Sequence, residues 1–595
     1  YTAAVELVSA EGRVLQRRQE RFGVRKLEVR GKEFYLNGRP FFLRGFGDDS
    51  VYPLDGISPA DADVHRAHLA TARAAGFNYT RLHTHCEVPE YFDAADELGI
   101  LIEAELPYYG DTPCDRGSFD PVREARELWT HFRRHPSFAI YSGGNEGSFG
   151  AALSERLYRM IKKADPDRLS IRQDNPNIGR GNTPADSDFL GGPQTVWKRG
   201  SYNPDLPFVC HEYMNLSIKS DYRDAALYRG AWMAPITAED RRAALSAAGL
   251  DMEWGARLQD AQNAFQRIFQ KQGIETARAD PYCDGFCFWT IVDCVVAQKG
   301  TYSAQGLFNP FWQPKRRGYG PADVAVFNSP VCLVAVFPSD RRVFMSGDRL
   351  AVRAVLSNYG EADVPAAPLA WRLVERGGRE LAQGETPAAA VSVGPARECA
   401  MVELSVPVVK RPLCASFVLS LPTSCGKVEN FWDVWIFPKR TRLRRNDVIY
   451  AEYGSREAEE AFARGGKVVA VRTSRGKPNA SLGWWWMENQ VGTALKDHPM
   501  LGDLPHEGFL SPLLADIVKD DALKLPLKDV RNEDLVMVGE GGDAFYAYLF
   551  VKRNAEGGVM AVATGLDLSD ARPEAAAILD GMAHFVGDAT QNGKE

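Results

Sequence analysis

The hydrophobic pattern between residues 31 and about 322 predicts a barrel of parallel strands surrounded by helices. Short apolar runs alternate there with stretches whose apolar positions recur every three to four residues, which is typical of repeated βα units. Active sites of such (β/α)8 TIM barrels lie at the carboxyl ends of the strands. We predict barrel strands near residues 41–46, 77–82, 100–105, 138–144, 168–173, 187–191, 207–212 and 285–290. The predicted helices include 61–75, 89–98, 120–134, 153–164 and a long amphipathic region over 238–273.

The pattern changes twice after the barrel. Between about 323 and 440, apolar and polar positions alternate in runs that are separated by Gly, Asn, Asp and Pro, which predicts a β-sandwich. From 441 onward, apolar strands and helical stretches alternate again, beginning with 447–452, 455–463 and 467–472. We therefore predict a C-terminal α/β domain of the doubly wound, flavodoxin-like type over 441–595.

Composition narrows the possible classes of protein. A chain of 595 residues is long enough for several domains. Its net charge of −7 and pI near 5.9 argue against a nucleic-acid partner, which would require a basic face. Apolar runs such as 324–337 are interrupted by Asn328, Ser329 and Pro330, so we predict no membrane-spanning segment. The ten cysteines include no Cys-x-x-Cys pair, and most are expected to be small buried residues and not metal ligands.

Two glutamates are predicted at the carboxyl ends of barrel strands. Glu146 follows an apolar run and two glycines, and Glu212 ends the apolar run 207–212. Cleavage of a glycosidic bond requires two carboxyl groups, one that protonates the leaving oxygen and one that attacks the anomeric carbon. The alternatives are a helix-capping surface glutamate at 146, and Glu253 in place of Glu212. Glu253 lies in a predicted helix, where a glutamate is ordinarily solvated.

The segments around these glutamates match a known family over roughly residues 20 to 315. They are Phe34-Tyr-Leu-Asn37-Gly38-Arg-Pro40, Asn78-Tyr-Thr-Arg81, the third strand closing on Glu105, His135-Pro-Ser through Asn145-Glu146, and His211-Glu212-Tyr213. Their order and spacing resemble glycoside hydrolase family 2, which includes β-galactosidases and β-glucuronidases. The resemblance implies a retaining, exo-acting glycosidase with Glu146 as acid/base and Glu212 as nucleophile. It also implies that residues 1–30 end an immunoglobulin-like sandwich, that an immunoglobulin-like sandwich follows the barrel, and that the family's preceding jelly-roll is absent from this chain.

The resemblance further implies a sugar pocket around the two glutamates. Asn145 would bind the 2-hydroxyl of the sugar, and Trp289 would form an aromatic platform beneath it. The alternatives are a turn-forming asparagine, a core tryptophan, and structural ion pairs at Arg81 and Glu105. Zinc ligation by His83 and His85 is the less favoured interpretation, so we predict no metal and no cofactor. The predicted substrate-binding residues are Asn145, Arg81, Glu105, His83, His85, Asp48, Asp49, Tyr213, Trp289 and Gln305.

Several positions depart from the family pattern and change the predicted pocket. Gly45-Phe-Gly-Asp48-Asp49-Ser50 stands where the family has Gly-x-Asn-x-His-Glu, and Thr84 replaces a histidine. Gln305 stands where members that act on glucuronides carry a lysine. A carboxylate without that lysine loses a charge-assisted hydrogen bond, about 1.5–3 kcal/mol. We therefore predict a neutral terminal sugar, with β-galactoside as the first expectation and β-glucuronide, β-mannoside and α-arabinoside as alternatives.

A second class of protein stays open, namely a non-catalytic carbohydrate-binding protein on an inactive barrel. The two retained glutamates favour the enzyme. The expected partner is a carbohydrate substrate, without nucleic acid or membrane, and a homo-oligomer is left open. The sequence begins at Tyr1 without a recognisable signal peptide, so the localisation cannot be read from it. A bacterial periplasmic or extracellular location is the expectation.

Overall fold

Two small sheets precede the barrel. The computed structural model describes residues 1–107, 120–145, 151–172, 187–192, 206–294, 296–298, 301–424, 426–439, 445–477, 492–542, 544–569 and 572–589. The first strands are β1 (Thr2–Val8), β2 (Val14–Arg21), β3 (Leu27–Arg30), β4 (Glu33–Leu36) and β5 (Arg39–Phe41). β1 and β2 form an exposed antiparallel hairpin. β3 to β5 form an antiparallel sheet in which Asn37 and Gly38 join β4 to β5 with φ of 51° and 80°, as a two-residue hairpin turn requires.

Eight parallel strands form the barrel. The strands of this region are β6 (Leu43–Asp48), β7 (Tyr79–Leu82), β8 (Leu101–Glu105), β9 (Phe138–Ser142), β10 (Leu169–Ile171), β11 (Leu190–Gly192), β12 (Phe208–Tyr213), β13 (Ile218–Lys219) and β14 (Gly285–Phe288). All except β13 belong to one sheet with the order β10-β9-β8-β7-β6-β14-β12-β11. Strands such as β8 and β9 are buried at every position, because helices cover one face and the barrel interior fills the other. The eight predicted strands are confirmed.

Hydrogen bonds beyond the strands bring the two edges of this sheet together. The Asp188 backbone N–H donates to the Ser170 carbonyl at 2.8 Å, and the Ser170 N–H donates to the Asp188 carboxylate at 2.8 Å. Leu27 and Phe34 pack with the interior side chains of the barrel and cover its amino-terminal end. The barrel is therefore nearly closed, and its mouth lies at the carboxyl ends of the strands.

Helices surround the barrel. They are α1 (Ala62–Ala74), α2 (Pro89–Leu98), α3 (Pro121–Phe132), α4 (Ala151–Ala164), α5 (Ala238–Ala247), α6 (Met252–Ala279) and α7 (Pro321–Asn328). The region predicted as one long helix is divided into α5 and α6. Gly249 adopts a left-handed φ of 73° between them, and the Asp251 side chain then caps α6 by accepting from the Trp254 N–H.

The predicted β-sandwich is present after the barrel. The strands that follow β14 along the chain are β15 (Val296–Gln298), β16 (Thr301–Ala304), β17 (Val331–Val336), β18 (Val343–Met345), β19 (Arg349–Asn358), β20 (Ala367–Glu375), β21 (Glu380–Ala388), β22 (Gly394–Ser405), β23 (Leu413–Thr423) and β24 (Gly426–Phe437). β15 and β16 pair with β13 near the barrel. The others form two sheets, β17-β19-β22 and β18-β24-β23-β20-β21, which share one hydrophobic core.

The last domain differs from a fully parallel, doubly wound sheet. It contains β25 (Ile449–Glu452), α8 (Arg456–Ala463), β26 (Lys467–Val471), β27 (Ala494–Leu495), β28 (Leu523–Lys524), β29 (Leu535–Gly541), β30 (Ala544–Arg553), β31 (Val559–Ala563) and α9 (Pro573–Asp588). β25, β26 and β31 are parallel, whereas β29, β30 and β31 are antiparallel neighbours. The short connections on either side of β30 explain this, because such connections join only antiparallel strands.

Side chains of α5 and α6 contact both later domains. Glu275 accepts from Trp432 Nε1 of the sandwich at 2.9 Å. Arg241 donates to Glu540 of the last domain at 2.7 Å, and both side chains are buried. Within the described ranges, no helix is long and apolar enough to cross a membrane.

Candidate active site

Strained backbone marks the mouth of the barrel. Ser50, Thr84 and Glu212 are non-glycine residues with left-handed φ of 55°, 56° and 40°, and they lie at the ends of β6, β7 and β12. The pairing of β12 with β14 shifts register between Cys210 and Tyr213, which indicates a bulge around Glu212. Such strain is costly and is concentrated at functional sites.

Arg81 connects three predicted site residues. Its side chain is fully buried at the end of β7 and donates from Nε to Glu105 Oε2 at 2.8 Å. It also donates to Asn145 Oδ1 at 2.7 Å and to Glu212 Oε1 at 3.4 Å. The neighbouring strands β7, β8 and β9 therefore meet β12, which lies across the mouth of the barrel, through one guanidinium group. Asn145 accepts with its side-chain oxygen, so its amide nitrogen is the group with which this side chain donates.

Basic neighbours favour the ionised form of Glu212. His211 Nε2 lies 3.2 Å and His83 Nε2 lies 3.9 Å from Glu212 Oε1. Burial raises the pKa of this carboxyl group, but His211, Arg81 and His83 outweigh burial and hold the pKa well below its ordinary value. A carboxylate that stays ionised is suited to attack as a nucleophile.

Asp49, His83 and Trp289 line the same side of the mouth. His83 Nδ1 lies 2.6 Å from Asp49 Oδ1, and the His83 ring packs edge-on against Trp289 with centroids 4.8 Å apart. The Trp289 indole occupies the space above Gly47, where an added Cβ would lie 2.3 Å from the ring. Gly47 stands where the family pattern has asparagine, so the departure from that pattern makes room for the tryptophan.

Asp48 and His85 belong to a neighbouring cluster with two residues that the sequence did not single out. Asp48 Oδ2 accepts from the Tyr91 hydroxyl at 2.9 Å, and His85 Nε2 lies 3.3 Å from Glu87 Oε1. Burial, followed by the charge of Glu87, raises the pKa of Asp48 to about 6. Burial lowers the pKa of His85, but Glu87 and Asp48 outweigh it and raise the value to about 9. Thus Asp49, through His83, contacts the residues around Glu212, whereas Asp48 belongs to the neighbouring cluster.

Three predicted residues are not placed among these contacts. Tyr213 is fully buried, and its hydroxyl donates to the Gly273 carbonyl of α6 at 3.0 Å, so it packs between the strand and the helix layer. Gln305 is 2% exposed and directly follows β16. Glu146 lies outside the described residues, one position beyond Asn145.

Sequence reasoning assigned no role to His211 or Glu87. Neighbouring strand residues ordinarily face opposite sides, so His211 was not expected to contact the Glu212 carboxylate. The left-handed φ of Glu212 breaks that alternation. The spacing of His85 and Glu87, two residues apart directly after β7, was the available signal for the neighbouring cluster.

The described residues at the mouth of the barrel form a candidate site. It contains a carboxylate whose surroundings favour the ionised form, an asparagine side chain, and an aromatic ring beside them. These groups suit attack on an anomeric carbon and recognition of an adjacent hydroxyl.

Two family models match parts of the chain. Residues 27–180 match "Glycosyl hydrolases family 2, TIM barrel domain". This segment contains Arg81, Glu105 and Asn145-Glu146. Residues 348–438, within the sandwich, match "Domain of unknown function (DUF8488)".

Curated relatives and solved structures resemble the chain in part. A β-galactosidase from Pectobacterium atrosepticum is 30% identical over 176 residues, which are 28% of this chain and 17% of that protein. A β-galactosidase from Photobacterium profundum is 28% identical over the same shares. The matched segment thus spans less than a fifth of these relatives. An exo-chitosanase structure from Amycolatopsis orientalis has a TM-score of 0.50 at 17% identity, over 74% of this chain and 54% of that one, and shows likeness of fold. Residues 27–180, the part of the barrel that carries Arg81 and Asn145, thus resemble the barrel domain of glycoside hydrolase family 2.

Proposed function

We propose that this chain is a retaining, exo-acting glycoside hydrolase that removes a terminal neutral sugar from an oligo- or polysaccharide. The observation that carries the proposal is the buried Glu212 carboxylate, which Arg81 and two histidines keep ionised beside Asn145. Retaining glycosidases use two carboxyl groups, one as the nucleophile and one as the acid and then the base. Glu212 is the nucleophile, and Glu146 is the acid and then the base.

The proposed reaction proceeds in two displacements. A Glu212 oxygen attacks the anomeric carbon, the glycosidic bond breaks, and Glu146 gives its proton to the leaving oxygen. Glu146 then removes a proton from water, which attacks the same carbon and releases Glu212 as a carboxylate. The Asn145 amide binds the 2-hydroxyl, a contact that strengthens in the transition state. The carboxyl groups supply all the proton transfers that this reaction needs.

The role of Glu146 predicts a dependence on the leaving group. We expect Glu146→Gln to lower kcat/KM by about 10²–10⁴-fold for glycosides with poor leaving groups, because these need protonation. Activated aryl glycosides should lose far less in the first displacement. The measurement is a series of aryl glycosides of increasing phenol acidity with the parent and variant proteins.

The matched control is Glu155→Gln, which removes a carboxylate from the partly exposed pair with Arg159 on α4. It should leave the dependence on the leaving group unchanged. Equal losses on poor and activated leaving groups in Glu146→Gln would contradict the acid/base assignment.

The charges at the mouth favour a neutral sugar over a uronic acid. Glu105 is fully buried in its pair with Arg81, and Asp49 is paired with His83. Arg81 and His83, which lie near Glu212, thus already contact carboxylates. Asp48 and Glu87 lie in the neighbouring cluster, where His85 offsets only one of the two carboxylates. A sugar carboxylate would therefore meet repulsion and would lack the lysine that Gln305 replaces.

A panel of nitrophenyl glycosides tests this specificity. We expect β-galactoside to be turned over at least about tenfold faster than β-glucuronide, since the missing charge-assisted bond costs about 1.5–3 kcal/mol. The panel also includes β-mannoside, α-arabinoside and β-glucosaminide. Faster turnover of the glucuronide than of every neutral sugar would overturn the proposal. Silence on the whole panel, with sugar binding retained in calorimetry, would instead favour a non-catalytic carbohydrate-binding barrel.

We also propose a domain organisation to accompany this activity. Residues 1–30 end an immunoglobulin-like sandwich, 31–322 form the catalytic barrel, 323–440 form an immunoglobulin-like sandwich and 441–595 form an accessory domain. The parallel strands β25, β26 and β31 with α8 and α9 are the part of that last domain that supports a flavodoxin-like relationship. The proposed partner is a carbohydrate, and the net charge of −7 disfavours nucleic acid.

A further inference from the structure

A cavity of about 350 Å³ lies between α6 of the barrel and the β-sandwich. Its walls are the last two turns of α6, the strands β17 and β19, and residues 337–342, which join β17 to β18. Pockets for small ligands commonly enclose about 300–1,000 Å³. Because α6 leads into the start of β14, the cavity lies toward the amino-terminal end of the barrel, away from the candidate active site.

Arg342 lines this cavity without a protein partner for its guanidinium group. The guanidinium carbon lies 5.8 Å from the centre of the Phe337 ring, but within the described ranges the group makes no hydrogen bond and no ion pair. Other enclosed arginines are bonded: Arg278 donates to the Ser329 carbonyl at 2.7 Å, and Arg241 donates to Glu540 at 2.7 Å. The N–H donors of Arg342 are therefore available to a ligand.

The surroundings of Arg342 leave its charge poorly compensated. Burial lowers the pKa of this side chain, and the charges of Glu275, Asp433 and Asp340 offset only part of that effect. A lowered pKa means that the charged form is less well stabilised here than in water. Since a guanidinium group stays charged in proteins, a ligand that accepts its hydrogen bonds would supply the missing compensation.

Other polar side chains of the cavity can also bind a ligand. Gln272 makes no side-chain hydrogen bond in the part of the chain that the structure describes, and its amide offers both donors and an acceptor. The Thr276 hydroxyl donates to the Gln272 carbonyl at 2.8 Å, so its lone pairs are left to accept. The Asp340 carboxylate accepts only. Phe337 and the valines of β17 and β19 form an apolar wall beside these groups.

The charges of the lining favour a neutral ligand with several hydroxyl groups. Two charged residues of the lining are already paired, namely Glu275 with Lys271 and Arg353 with Glu398. An anion would face the carboxylates of Asp280 and Asp340, and a cation would face Arg342. A hydroxyl group both accepts and donates, so it can bind the guanidinium group and a carboxylate without repulsion.

We propose that this cavity binds one neutral sugar unit, at a second carbohydrate site that is separate from the mouth of the barrel. Arg342 donates to the sugar oxygens, Asp340 accepts from hydroxyl groups, and Gln272 does both. The C–H groups of the sugar ring pack against Phe337. The site would bind a carbohydrate chain where the barrel meets the sandwich. It extends the proposed action on carbohydrates, but it does not depend on catalysis by Glu212.

The experiment measures hydrogen–deuterium exchange of the full chain with and without D-galactose, D-glucose, D-mannose or L-arabinose. We expect at least one of these sugars to slow exchange in residues 272–280 and 337–342. A sugar bound at the mouth of the barrel would instead protect residues such as 47–50 and 81–85, so the two sites are distinguished. Free monosaccharides contain no glycosidic bond, so the readout does not require an active enzyme.

Calorimetry with the protecting sugar then tests the side chains. Arg342→Met should weaken binding about 10–100-fold, because hydrogen bonds from a charged donor are lost. Gln272→Ala should weaken it about 2–10-fold, and this variant removes no side-chain hydrogen bond that the described fold uses. The matched control is Arg372→Met on β20, which removes a partly exposed arginine that lies 3.8 Å from Glu429 outside the cavity. Its affinity should equal that of the parent chain.

Three outcomes would overturn the proposal. They are no protection of residues 272–280 and 337–342 by any of the four sugars, equal affinity in Arg342→Met and the parent chain, and protection by glucuronate or inorganic phosphate alone. The last result would assign the cavity to anions. Silence of the protein on aryl glycosides, with these segments still protected by a sugar, would contradict the proposed hydrolysis and leave the second site standing.

Discussion

Glu212→Gln is expected to lower kcat at least about 10⁴-fold, as loss of a nucleophile does in other enzymes that form covalent intermediates. Glutamine has nearly the same shape and can keep the hydrogen bond from Arg81, but its neutral amide cannot attack the anomeric carbon. Arg81 and the two histidines lower the pKa of this side chain and so favour its charged form, which the amide cannot adopt. The measurement is kcat on an activated aryl glycoside, for which acid catalysis contributes little.

A trapping experiment identifies the reacting oxygen directly. A 2-deoxy-2-fluoro glycoside with a good leaving group should leave a fluorosugar ester on the parent chain, located by peptide mass analysis at Glu212. The control is Glu253→Gln, since Glu253 lies at the start of α6 with 72% of its side chain exposed, paired only with Arg257 among the described residues. That variant should keep full activity and should still be labelled at Glu212. A label on Glu253, or full activity in Glu212→Gln, would refute the assignment.

The barrel could be predicted because its strands are buried on both faces. Such strands form short continuous apolar runs between amphipathic helices, and all eight runs overlap the observed strands. The bounds of the strands are harder to predict than their presence. The first barrel strand, for example, was predicted over 41–46 and is observed over Leu43–Asp48. The final sheet could not be predicted fully, because an apolar run does not show whether its neighbour is parallel or antiparallel. The tight connections around β30 decide this.

The sequence predicted most of the residues that form the candidate site, but it did not predict all the contacts between them. Carboxylates at strand ends were visible in the sequence. Arg81 joins Glu105 and Asn145 from the strands next to it and Glu212 from across the mouth of the barrel. Adjacent strand residues face opposite sides, so the division of Asp48 from Asp49 between two clusters could have been foreseen. Contacts that depend on an unusual φ, such as that of His211 with Glu212, could not.

Arg81→Met is expected to lower both stability and activity. The side chain is fully buried and holds Glu105, which is itself fully buried, together with Asn145 and Glu212. Removing one partner of a buried ion pair leaves the other charge uncompensated, at a cost of about 3–5 kcal/mol in the free energy of unfolding. We expect kcat/KM to fall about 10²–10³-fold, as when one oriented donor is removed from a polar active site. Denaturant unfolding and aryl glycoside kinetics measure the two effects separately.

The pH profile distinguishes an electrostatic role of Arg81 from a purely structural one. Arg81 is among the groups that lower the pKa of Glu212, so its removal raises that pKa toward the ordinary value for a glutamate. The nucleophile is active only when ionised, so its activity is lost as pH falls through this pKa. The acidic limb of kcat/KM should therefore move to higher pH in Arg81→Met.

Arg81→Lys separates charge from geometry. A lysine keeps the positive charge but cannot contact three oxygens from one planar group. Its acidic limb should lie closer to that of the parent protein, while its kcat/KM stays reduced. The control is Arg257→Met, which breaks a partly exposed helical pair and should change stability by no more than about 0.5 kcal/mol. If the acidic limb is the same in Arg81→Met and in the parent protein, then Arg81 only supports the fold, and His211 and His83 account for the ionisation of Glu212.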